Sequence, residues 1–209
     1  MFKLQFEGTV QKQRFWLGVL CGALPILCVL FGILSCTYGG NPPYILDSIS
    51  ETYYSNHKIV MIGVLLTASG FLFCYEGYDL GDRLWTVLAA IGAAGVAAFP
   101  CSSSFYNLDY VGLFSLPNNV SNTVHFIFAF LTFGSLAIMT LTQFTKGTDK
   151  KRNVVYIVCS IIMLLAIVMI PVSDWIDMPE GSIMLFEFIH LEAFATAWFT
   201  KSKFKVVKS

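Results

Sequence analysis

Six apolar runs of membrane-crossing length divide this chain, and the basic residues between them fall on one side. The runs are 15–35, 59–75, 84–100, 121–143, 154–171 and 183–200. At 1.5 Å per residue each crosses about 30 Å of hydrocarbon once flanking residues are counted. When successive connections are assigned to alternate faces, 12 of the 13 Lys and Arg residues share one face. They are Lys3, Lys12 and Arg14 before the first run, Arg83 in the second connection, Lys146, Lys150, Lys151 and Arg152 in the fourth, and Lys201, Lys203, Lys205 and Lys208 in the tail. Only Lys58 lies opposite. Cations are retained on the cytoplasmic side of a membrane, so the pattern predicts an all-α, polytopic transmembrane six-helix bundle with both termini cytoplasmic. Removing one run would scramble the sorting.

Composition agrees with a lipid solvent. The 209 residues are 56% hydrophobic and only 12% charged, against about 25% charged in soluble domains. The net charge is zero and no block of like charge appears, which excludes a nucleic-acid footprint. The expected location is a membrane, crossed several times, and the plasma (inner) membrane if the source is bacterial. Lys12 and Arg14 before the first run resemble the start of a secretory signal, and Ile33-Leu34-Ser35-Cys36 a lipoprotein cleavage site. The run exceeds the roughly 7 to 15 residues of a signal core, so a resident helix is expected. There is no internal repeat, and the loops are too short for a second domain, so residues 1–209 read as one transmembrane domain.

Ionisable groups inside apolar spans are costly, and each becomes a candidate for function. Glu187 and Glu192 both lie in the last run, with His190 between them. Three-residue spacing puts Glu187 and His190 on one helix face, while Glu192 is about 200° round from His190 and meets a different neighbour. Glu187, His190, His125 and His57 all fall toward the extracytoplasmic half, together with Ser50, Asp47, Tyr53, Tyr54, Asp109, Asp174 and Asp177.

Three readings of this polar half stay open. His125, Glu187 and His190 supply nitrogen and oxygen ligands of the kind zinc accepts, which makes a metal-dependent membrane lipid hydrolase one candidate. A polar cleft without metal, lined by Ser50, His125, Glu187 and His190, would hold a lipid headgroup or small amphiphile, with no cofactor. Plain interhelical pairing is the third. Ser50 or Ser102 beside His125 could form a nucleophile–base pair only if the fold brings them together. A buried carboxylate such as Glu192 would suit a proton-coupled small-solute transporter, but only the first run carries an interior Pro and no paired half-spans are evident.

Six cysteines show no Cys-x-x-Cys spacing. Cys36 and Cys101 fall at the external ends of their spans, where an oxidising compartment would permit a disulfide if the helices are adjacent. The third run repeats Ala and Gly four apart on more than one face. Burial at the centre of the bundle explains this most simply, and a homodimer contact is the alternative.

Ser48-Ile49-Ser50 before the second run, Phe99-Pro100 ending the third, and His125-x-x-x-Ala129-x-x-x-Phe133 opening the fourth resemble a widespread group of uncharacterised bacterial six-helix membrane proteins. That resemblance covers most of the chain and implies architecture rather than activity. More distantly the layout is similar to the alkaline ceramidase and progestin/adipoQ receptor superfamily, whose metal site uses Ser-x-x-x-His. Here Ser50 leads to Tyr54 at that spacing. A looser similarity to autophagy modulators and lipid-anchor remodelling factors would also imply lipid handling. The leading expectation is a lipid-binding integral membrane protein with membrane lipids as partners.

Overall fold

A computed structural model describes residues 2–5, 8–37, 46–77, 79–103, 106, 108–202 and 205–208, with backbone alone for 2–5, 32–37 and 205–208. Among the described residues there are six α-helices: α1 (Thr9–Thr37), α2 (Lys58–Phe73), α3 (Leu80–Ala98), α4 (Asn118–Thr142), α5 (Lys150–Trp175) and α6 (Ser182–Ser202). Each coincides with one apolar run of the sequence. Five are long and apolar enough to cross a membrane, while α2, with 16 residues, is shorter. Each helix packs on its neighbours in sequence and α6 returns to α1, so the six form a closed ring.

The first four-residue strand, β1 (Phe2–Gln5), pairs antiparallel with a strand at Lys205–Lys208, Phe2 standing opposite Lys208. The two strands therefore meet at one end of the ring, as an even number of successive antiparallel helices requires. This end is called the base and the opposite end the roof.

The base is closed by aromatic packing and by caps. Trp198, fully buried, meets Tyr75, Phe144 and Phe194 edge to face, with centroids 5.1, 5.2 and 5.8 Å away. Asp79 caps α3 by accepting from the Asp82 N–H at 3.0 Å, and Asp149 caps α5 through the N–H groups of Lys151 and Arg152. In the tight turn before α3, Arg83 donates to the carbonyls of Phe73, the last residue of α2, and Tyr75, just beyond it.

Small residues set the helix spacing in the middle of the ring. A Cβ at Gly92 would lie 2.3 Å from Thr132 Oγ1 and 2.8 Å from the Thr132 main-chain nitrogen, so α3 approaches α4 more closely than any larger residue allows. Ala89, Ala90, Ala93 and Ala97 are buried beside it. The small residues of the third run thus serve contacts within the chain. Helix α5 is the most lipid-like in exposure, presenting Val154, Ile157, Val158, Ile161, Leu165 and Val168 outward. It also continues through Pro171 to Trp175, so a second helix carries an interior Pro where the sequence suggested that the span ended. Membrane helices tolerate such a residue where neighbours satisfy the freed carbonyl.

Candidate functional site

The roof is made largely of backbone outside the α-helices, and its buried polar groups need hydrogen-bond partners. Helix α3 stops at Pro100, leaving a row of carbonyls without intrahelical donors. His125 Nδ1 meets the Phe99 carbonyl at 2.7 Å, Ser121 Oγ donates to Pro100 O at 2.8 Å, and Tyr54 OH donates to Cys101 O at 2.5 Å. The Leu113 N–H reaches Ala98 O at 3.2 Å from a two-stranded ribbon, β2 (Tyr110–Val111) and β3 (Leu116–Pro117). Gly112 at the turn of this ribbon has φ +80°, and a Cβ there would press on Pro100 at 2.8 Å. Ser121 and His125 stand four apart on one face of α4, so a single helix face serves two successive carbonyls.

Beside this strand a short 3-10 turn at Ser50–Tyr54 sits over the end of α2. Its approach segment is tied to α6. The Ile49 N–H donates to Glu187 Oε2 at 2.6 Å, the Met184 N–H to Asp47 O at 2.8 Å, and the Gly181 N–H to Asp47 Oδ1 at 3.1 Å. Glu51 accepts from the Asp47 N–H at 3.0 Å and from Ser103 Oγ at 2.8 Å, which joins the turn to the α3–α4 connection.

Burial fixes the protonation of the roof. It pushes the Cys101 thiol up to about 12, aided by the carboxylates of Glu187 and Glu51. Burial also raises the Tyr54 phenol, with Cys101, Tyr53 and Glu51 adding to the effect, so the hydroxyl remains a donor at neutral pH. Burial holds the His57 imidazole below its usual value, and its ring stacks on Phe31 at 6.0 Å.

Under the roof a narrow, partly open cavity of about 60 Å³ lies between α1, α2, α3, α4 and α6. Its walls are apolar: Leu24 from α1, Met61 to Leu72 along α2, Ala93 from α3, Phe133 and Leu136 from α4, and Leu191 from α6. From Met61 to Leu72 the α2 wall is about 16 Å deep. Polar groups gather at the roof end, where Glu187 and Ser50 line the cavity. Both are more than nine-tenths buried, at 7% and 8% exposure. Ser50 Oγ forms no hydrogen bond with the described residues.

Of the expected cleft residues, the fold brings Ser50 and Glu187 together and places the two histidines elsewhere. His125 is part of the roof's main-chain support. His190 Nδ1 lies 3.2 Å from Met163 O of α5, its ring packs on Phe133 at 4.3 Å, and its Nε2 has no hydrogen-bond partner among the described residues. The i, i+3 pair therefore diverges, Glu187 turning to the roof segment and His190 to α4 and α5. Three donors committed to three different partners do not make a ligand set, and among the described residues no group of three or more His, Cys, Asp or Glu residues could hold a metal ion. Glu192 sits on the α1–α6 seam, where a Cβ on Gly22 would lie 3.6 Å from its Oε2, and its Oε1 lacks a partner. Cys101 is a buried free thiol. The side chain of Cys36, the other half of the expected bridge, lies outside the described residues.

Sequence reasoning did not anticipate the apolar cavity or Arg14, which reads as an ordinary flanking cation. Arg14 is 2% exposed and donates twice to Tyr75 OH, at 2.9 and 2.6 Å. Lys201 is likewise buried, with Nζ 4.7 Å from the Phe144 ring centroid. No spacing signal marks either.

Fold and cavity together define a class: an all-α ring built largely of helices long and apolar enough to cross a membrane, with a narrow cavity within and closed at one end by polar loops. The chain belongs to a family of unknown function, DUF7103, whose sequence model matches residues 25–202. No curated protein and no solved structure matches it.

Proposed function

We propose that this chain crosses the membrane six times with its base and both termini cytoplasmic, and that it binds a single-chain amphiphile inside the ring. The tail occupies the apolar cavity and the head rests against Glu187 and Ser50 on the extracytoplasmic side. One observation supports the reading, an apolar cavity whose described polar lining groups are Glu187 and Ser50 at its roof end and Thr132, whose hydroxyl is already committed to Phe128 O at 2.8 Å. A water-filled shaft with such walls would be costly, whereas an alkyl chain restores the dispersion contacts that an empty one forfeits. The head then finds a carboxyl and a hydroxyl in a site that excludes solvent, the pattern of small-molecule pockets generally.

Native mass spectrometry of the full chain released from nonionic detergent tests this. The expected result is one tightly retained amphiphile per chain, lost in Ala93→Phe, which fills the shaft from α3. Retention of the same adducts in Ala93→Phe, with the fold intact by circular dichroism, would place the lipid on the outer surface and overturn the reading.

A further inference from the structure

The two ends of the cavity differ in charge as well as polarity, and that difference bears on the head group, provided the amphiphile reading above holds. Glu187 is the only ionisable acid or base, thiols aside, among the residues lining the cavity. The charged groups closest to it are also acidic. Asp47 lies within electrostatic reach on the segment that donates to Glu187 through Ile49. Glu51 follows in the 3-10 turn, bonded to the Asp47 N–H. The other titratable neighbours are thiols, Cys28 of α1 and Cys101 of the α3–α4 connection, the latter held neutral by burial. Cations near the roof turn elsewhere. Lys58 lies over the Tyr53 ring at 5.9 Å and is exposed, and burial keeps His57 neutral.

A phosphate or carboxylate head placed here would meet acids and no compensating donor cation, which the low dielectric of the site makes unfavourable. An ammonium head pairs its charge with the Glu187 carboxylate, and Ser50 Oγ, without a hydrogen-bond partner among the described residues, accepts a hydrogen bond from one of its N–H groups. We infer that the cavity selects a cationic amphiphile, a primary or substituted long-chain amine, with Glu187 as counter-ion and Ser50 as acceptor.

The test uses the full chain in nonionic detergent at pH 7 with octylamine, octanol and octanoate as matched probes, each titrated calorimetrically against the wild type and Ala93→Phe so that micelle partitioning is subtracted. Octylamine is expected to bind about tenfold or more tighter than either other probe. Glu187→Gln, which keeps an acceptor for the Ile49 N–H, should bring the amine to within about twofold of the alcohol. Glu187→Asp, with the charge retained, should keep the preference for the amine. Octanoate binding as well as octylamine, or an amine preference that survives Glu187→Gln, overturns the cationic assignment while leaving amphiphile binding intact. Absence of any difference between wild type and Ala93→Phe for all three probes overturns the amphiphile reading itself.

Discussion

At the base, Tyr75, Phe144, Tyr156, Phe194 and Trp198 close the ends of four helices on one another, ring against ring at 5.1 to 5.8 Å. At the roof, three successive carbonyls that no helix can use are taken by Tyr54, Ser121 and His125. The base gains its order from shape and dispersion. The roof gains its order from hydrogen bonds that exist because burial leaves an unsatisfied carbonyl no alternative. A region of the first kind resists change at every atom, whereas the second exchanges partners more readily, and the cavity with its acid end lies under the second. The contrast separates an anchoring half from the half proposed to bind.

Trp198→Ala should produce the largest loss of stability, about 3 kcal/mol, the low end for a buried Trp because lipid supplies no hydrophobic drive to repack the hole. Thermal unfolding in detergent measures it, and amphiphile binding by the folded fraction should be unchanged. His125→Ala should cost about 2 kcal/mol by stranding the Phe99 carbonyl, with part recovered in His125→Asn. If His125→Ala destabilised more than Trp198→Ala, the roof rather than the base would be holding the ring.

Tyr54→Phe removes one neutral hydrogen bond and should cost about 1 kcal/mol. Its sharper readout is thiol labelling. Cys101 is buried, with its thiol pushed up to about 12, so maleimide at pH 7 should leave it untouched while the exposed Cys74 reacts. Tyr54→Phe should make Cys101 the next site to label.

The smallest effect belongs to the rim of the base. Lys146 Nζ stands 2.5 Å from Asp79 Oδ2 and, with the Asp82 N–H, holds that exposed carboxyl below its ordinary 3.8. A lowered carboxyl contributes stability that is present above its unfolded value and is lost as pH falls through the folded one. Wild-type and Lys146→Met unfolding temperatures should therefore differ slightly at pH 6 and converge toward pH 2.

The helices were legible because each is a long apolar run, and all six runs lie within or against an observed helix. The ring's closure was not, since no period in α1 or α6 records that they meet. Glu187 was recognisable from its cost alone, and Ser50 from its place ahead of the second run. Their common cavity was invisible because its walls are Leu, Met, Ala and Phe, residues that read as core wherever they fall. The divergence of His190 from Glu187 was hidden for a related reason: i, i+3 spacing fixes a face only to within about 60°, and here that angle separates the roof segment from α5. Arg14 looked like a topological cation because its partner, Tyr75, is remote in sequence.

Photocrosslinking with a long-chain amine bearing a diazirine at its far end tests the central claim most directly. Peptide mapping should find the tail on Leu72 and Leu136, deep in the shaft, with the signal abolished by Ala93→Phe. Crosslinks confined to Ile161, Leu165 and the rest of the outward face of α5 would show that the interior takes no ligand and would contradict the account.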